Sequence, residues 1–122
     1  MKDKHIKKYI RERFSWWVRW LGLGFGDISI HYVERIEEVY EDGSISINPD
    51  CAGKCDTDWR YQESHITLSM AKLRELTKPE IEKVLVHELM HVFLNEMREE
   101  GIDHEERVAT NLQKAFLWIR DA

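Results

Sequence analysis

From Thr77 to Glu100 the apolar residues Ile81, Val84, Leu85, Val86, Leu89, Met90, Val92, Phe93, Leu94 and Met97 occupy almost every side of a helix. A helix with no polar stripe has no face to offer water, so this one must run through the middle of its domain. Its start is well marked. Thr77 can accept from a free backbone N–H of the first turn, Pro79 tolerates an early helical position, and Glu80 can reach back as the acid of a capping box. Gly101 is the expected stop. With 122 residues, 43% of them apolar and 34% charged, the chain has material for a single domain, residues 1–122, and one modest core.

The other elements read as cover for that helix. Ile6, Ile10, Phe14, Trp17 and Leu21 recur at helical spacing, and Gly22, Gly24 and Gly26 end the run. Ile28, Ile30 and Tyr32 alternate with Ser29, His31 and Val33, as in a half-buried strand. Val39 and Tyr40, the pair Asp42-Gly43, and then Ile45 and Ile47 predict a hairpin. Between Trp59 and Met70 a weaker alternation sets Ser64, Ile66 and Leu68 against Glu63, His65 and Thr67. Asp103 can cap a last helix whose apolar face is Val108, Ala109, Leu112, Ala115, Phe116 and Ile119. The expected class is α+β: an N-terminal helix, a small, mostly antiparallel three-stranded sheet, and two C-terminal helices.

A formal charge of −5 and a pI near 5.7 disfavour nucleic acid as the main partner. Seven basic residues nevertheless lie within residues 1–20, so a local basic face is open, either as a nucleic-acid arm or as a Trp-rich helix on a membrane surface or in a partner's groove. The plainer reading of that helix is core packing. The stretch from Phe14 to Phe25 is short, interrupted by Arg19 and broken by glycine, which suits neither a membrane span nor a signal peptide. Cys51 and Cys55 are too few for a disulfide scaffold, and the expected setting is reducing and cytoplasmic. They supply only half of a structural zinc site, so free thiols in an acidic, solvated loop are expected, with a redox-sensitive disulfide as the next reading.

Within the buried helix stand His87, Glu88 and His91, in the pattern H-E-x-x-H. Histidines four apart lie one above the other on one side of a helix, so both imidazoles can reach a single metal ion. Glu88 points to one side of such an ion, where it can take a proton from water instead of coordinating. Leaving two imidazoles and a carboxylate unpaired on so apolar a helix would cost several kcal/mol. The competing reading is a hydrogen-bonded pair of core histidines. A catalytic zinc needs a third protein donor. Glu105 lies one turn before Val108 and Ala109 and so shares the inward face of the last helix, which makes it the expected third ligand. Glu106 is the alternative, and His104 is adjacent. Either acid also suits the positive end of a helix dipole.

H-E-x-x-H followed by a glutamate on the next helix resembles the gluzincin branch of the zinc metallopeptidases, in a reduced form close to the minigluzincins. The run from His87 to Met97 with His104-Glu105-Glu106-Arg107-Val108 is also similar to small metallopeptidases of phages and prophages. The resemblance is strongest over residues 77–119. It implies a minimal zincin-like fold, with an edge strand beside the cleft able to hold an extended peptide, and Zn2+ as cofactor. Its motif carries over to His87, Glu88 and His91. The expected function is hydrolysis of peptide bonds in a peptide or protein substrate by a metal-activated water, with Glu88 as general base. The alternative is a zincin-like binding module with little turnover, because no Gly follows His91 at the usual place and no oxyanion partner is evident. Tyr61, His65, His104 and Arg107 are candidates for that role.

Overall fold

A computed structural model of the chain describes residues 1–23, 27–58, 61, 63–94 and 104–121. Helix α1 (Asp3–Trp20) is followed by strands β1 (Asp27–Val33), β2 (Glu37–Val39), β3 (Ile45–Ile47), β4 (Gly53–Asp58) and β5 (Glu63–Ser69), and then by helices α2 (Met70–Leu73), α3 (Lys78–Phe93) and α4 (Glu105–Asp121). The α+β class forms as expected. The capping box at Thr77 is present in both halves: Thr77 Oγ1 accepts from the Glu80 backbone N–H, and the Glu80 carboxylate accepts from the Thr77 N–H. Ile81, Leu85, Val86, Leu89 and Met90 are all essentially sealed from solvent, which puts α3 at the centre of the core. Residues 95–103, which include the expected end of this helix, Gly101 and Asp103, lie outside the described residues.

The sheet is assembled differently from the sequence expectation. The predicted hairpin forms, with Gly43 in the left-handed conformation (φ 84°), yet β2 and β3 make a two-stranded sheet of their own. The main sheet has the order β1-β5-β4, with β1 parallel to β5 and β4 antiparallel to it, so two of the three strand pairings among the described residues are antiparallel. Its third strand, β4, comes from the segment read as a solvated acidic loop. Gly53, Cys55 and Thr57 alternate with Lys54, Asp56 and Asp58 there, and of these only Cys55 is fully buried. Small and polar residues facing inward leave no hydrophobic period to detect, although the pleat is regular. The expected strand from Trp59 is confirmed from Glu63 onward, with Ser64, Ile66 and Leu68 facing the core. Among the described residues, β4 is an edge strand.

Helix α1 packs Ile6, Ile10 and Trp17 inward and ends at Gly22 (φ 70°), where Leu23 N–H donates to Val18 C=O and Gly22 N–H to Arg19 C=O, the two bonds of a Schellman cap. Helix α4 keeps most of the expected inward face, with Val108 half-buried as well, but adds Gln113 to it and leaves two of its residues outside. Ala109 and Gln113 are buried and Leu112 and Phe116 half-buried, whereas Ile119 is 53% exposed and Ala115 also faces solvent.

α1, α3 and α4 are tied together by one buried acid. Glu82 receives Arg13 Nε at 2.6 Å, Trp17 Nε1–H at 2.8 Å, and the Arg120 guanidinium. Burial pushes this carboxyl up, but the hydrogen bonds from Arg120, Trp17 and Arg13 outweigh it and hold Glu82 below its ordinary value of 4.5. A group whose pKa is lower in the folded than in the unfolded chain stabilises fully above the unfolded value, and that contribution drains as pH falls through the folded one. Glu82→Ala, which leaves two guanidiniums facing a vacated site, should cost about 3 kcal/mol at neutral pH by denaturant unfolding. As pH drops below 4.5 the difference between the variant and the wild type should shrink. A difference that stays constant across that range would show that the ionised carboxylate is not its source.

Candidate metal centre

His87 and His91 stand one turn apart on α3 and converge, with their Nε2 atoms 3.3 Å apart and their ring planes at 77°. Two nitrogens held at ~2.0–2.1 Å by one tetrahedral ion stand about 3.3 Å apart, so this is the spacing of a two-imidazole site. The opposite ring nitrogens are both engaged by α4. Gln113 Oε1 lies 3.0 Å from His87 Nδ1, and the Glu105 carboxylate contacts His91 Nδ1. An amide oxygen and a carboxylate can only accept, so each Nδ1 carries a ring proton, and in the neutral ring that leaves the lone pair on Nε2.

Onto that pair of lone pairs the structure sets a second carboxylate. One oxygen of Glu106 is 2.6 Å from His87 Nε2 and the other 3.0 Å from His91 Nε2. Three electron-rich groups meeting at one point repel each other unless a cation, either a proton or a metal ion, lies among them. The donor set therefore fits a divalent metal ion, and imidazole with carboxylate is a set that zinc accepts. The two neighbouring acids of α4 thus meet the histidines differently: Glu105, with its side chain only 13% exposed, backs His91 from the Nδ1 side, while Glu106, 73% exposed, faces the Nε2 side. Helix phase does turn Glu105 inward, as the sequence suggested. Which ring nitrogen each acid reaches depends on where α4 crosses α3.

Glu88 is buried, and one of its ligand atoms comes within 4.8 Å of those of both histidines. It is reached by the edge strand. A Cβ on Gly53 would come within 3.2 Å of Glu88 Cγ and 3.0 Å of Leu68 Cδ2, so β4 closes on the acid only because residue 53 has no side chain. Cys51 donates its thiol to Gly53 C=O at 3.2 Å, and burial pushes that thiol up; neither cysteine is in a disulfide, and Cys55 is fully buried. Of the residues weighed as carbonyl-polarising partners, His104 adopts a φ of 74° where the chain enters α4, Tyr61 and Arg107 are exposed, and His65 lies on the outer face of the sheet. Gln113, Gly53 and Glu82 were not anticipated. The available signal was a single Gln one turn after Ala109 in an otherwise apolar stripe, and an acid on a helix with no face for water.

The model of the SprT-like family matches residues 30–115, a span from β1 into α4 that includes the histidine pair. No curated protein and no solved structure matches the chain.

Gly53→Ala should destabilise the protein by about 1–3 kcal/mol through overpacking, while the neighbouring Lys54→Ala, on the exposed face, should leave the unfolding midpoint within error. Equal stability for the two variants would mean that β4 and Glu88 are not in close approach.

Proposed function

The chain belongs to the SprT-like family, a zincin-like family related to the metallopeptidases, and on that footing we propose that it is a zinc-dependent, gluzincin-like peptidase. The observation that carries this reading is the convergence of the two Nε2 atoms under the Glu106 carboxylate, with Glu88 beside them. We assign His87, His91 and Glu106 as the metal donors. Glu105, the third ligand suggested by helix phase, is assigned instead to His91 Nδ1, where a carboxylate fixes the tautomer and the orientation of the ring. Gln113 does the same for His87 without a charge.

A zinc ion bound there supplies Lewis acidity, which acidifies a water and polarises the scissile carbonyl. Glu88 takes the proton of the attacking water on a carboxylate oxygen and later returns it to the leaving amine nitrogen. Burial under β4 keeps bulk water from competing for that oxygen. The outer edge of β4 offers backbone N–H and C=O groups to an extended peptide, whose scissile bond would then pass beside Glu88. The substrate class proposed is accordingly a peptide or an unfolded segment of a protein. No helix among the described residues is long and apolar enough to cross a membrane.

Zinc affinity, measured by competition with a chelator at fixed pH, should be lost in His87→Ala and His91→Ala. It should be strongly reduced in Glu106→Ala and reduced about 10-fold in Glu105→Ala, the size of an outer-shell effect. Loss in Glu105→Ala with Glu106→Ala unchanged would reverse the two roles, and loss confined to His104→Ala would remove both.

Glu88→Gln should retain zinc and abolish hydrolysis of any peptide that the wild type cleaves, because an amide still hydrogen-bonds but does not accept the proton. Wild-type turnover in that variant would exclude Glu88 as the base.

A further inference from the structure

A second pair of histidines faces outward from the sheet. In β5 the residues Ser64, Ile66 and Leu68 point to the core, so Glu63, His65 and Thr67 stand on the opposite face. The parallel register places Ser29 of β1 directly beside His65 and puts His31 one step along the same face. The three polar atoms close a nearly equilateral triangle: Ser29 Oγ to His31 Nε2 is 3.0 Å, Ser29 Oγ to His65 Nδ1 2.9 Å, and His31 Nε2 to His65 Nδ1 3.1 Å. These edges are close to the separation of about 3.3 Å expected for ligands on a single zinc ion, and to the spacing of the α3 pair.

A further observation concerns the far side of the ring. Glu63 Oε1 lies 2.9 Å from His65 Nε2. The carboxylate can only accept, so Nε2 carries the ring proton and Nδ1 turns its lone pair into the triangle. This is the carboxylate–histidine arrangement found behind metal ligands. His31 is exposed, so its own proton can sit on Nδ1 toward water and leave Nε2 free to coordinate. Asp56, directly across from His65 on β4, adds negative charge next to the site. A strand pair fixes all these positions, whereas two histidines on a loop would have to be ordered first.

We propose that His31 Nε2, His65 Nδ1 and Ser29 Oγ form a second, solvent-facing site for a divalent transition-metal ion, with Glu63 orienting His65. Imidazole nitrogen selects zinc, copper(II) or nickel over magnesium and calcium, and water completes the coordination on the open side. The site shares no residue with the α3 pair and does not depend on peptidase activity.

The probe is zinc alone. Metal-stripped full-length protein is equilibrated with a severalfold excess of zinc, freed of loose metal, and assayed for ions per chain by elemental analysis. The wild type should hold two, H31A and H65A one each, and the H87A/H91A double variant one. E63Q should retain the second ion with about 10-fold lower affinity. An ion count unchanged from the wild type in both H31A and H65A overturns the second site. So does a wild type with a single ion that disappears in H87A/H91A. A single ion lost from H31A and H65A but kept by H87A/H91A would support this site and overturn the ligand assignment on α3. Magnesium in place of zinc should leave the outer site empty, and equal occupancy by magnesium would also count against it. His31 and His65 face away from the core, so circular dichroism of the variants should match the wild type and keep the comparison sound.

Discussion

The structure depends on one contact, the crossing of α4 over the histidine turn of α3. His91 is nearly sealed from water, and a buried imidazole that left its ring N–H unpaired would lose on the order of 1–3 kcal/mol. Glu105 and Gln113 remove that cost from one side, and in doing so they choose the tautomer of both rings. The same choice turns both Nε2 lone pairs to one point, where Glu106 also arrives. Satisfying the core and gathering a donor set that could hold a cation are therefore a single arrangement. An α4 rotated by one residue would put a different acid on each nitrogen.

That crossing is held from its far end by Glu82. The acid sits on α3 nine residues before His91, and it draws Arg13 from α1 and Arg120 from α4 to one spot, with Trp17 donating beside them. A buried charge is a poor source of net stability, yet it is selective about which helices can meet it. Here it pins the end of α4 opposite to the glutamates, so the helix has little freedom to slide along α3. The N-terminal helix, basic and rich in tryptophan, is thereby fastened to the core through its Trp17 side, while Trp16 and Trp20 stack on each other nearer the surface at 5.9 Å.

On the other flank the edge strand sets the environment of Glu88. A strand carrying larger inward residues could not lie so close to α3. The run Gly53, Cys55, Thr57 is small enough to let backbone approach a carboxylate. The outer face of the same sheet carries polar residues, among them two histidines and the carboxylate of Glu63. Helix α3 and the outer face of the sheet thus present two imidazole pairs of similar spacing, one enclosed by α4 and one facing solvent.

Much of this was legible before any coordinates. The central position of α3, its capping box, the packing side of α1, the inward face of β5 and the trio His87, Glu88 and His91 all follow from periodicities of 3.6 and 2 and from local hydrogen-bond chemistry, which act over a few residues. What the sequence left undecided depends on distance through space. β4 escaped because its inward residues are small and polar, and only pairing with β5 makes it a strand. The hairpin's separation from the main sheet and the parallel pairing of β1 with β5 are choices among registers that alternation alone does not rank. The division of labour between Glu105 and Glu106 hangs on a rotation of about 100° between adjacent helical residues, set by how α4 seats on α3. Periodicity alone puts His87, Glu88 and His91 on one stretch of a buried helix; which nitrogen each acid meets is settled by packing, because helical phase fixes a direction and the crossing of two helices fixes the partner.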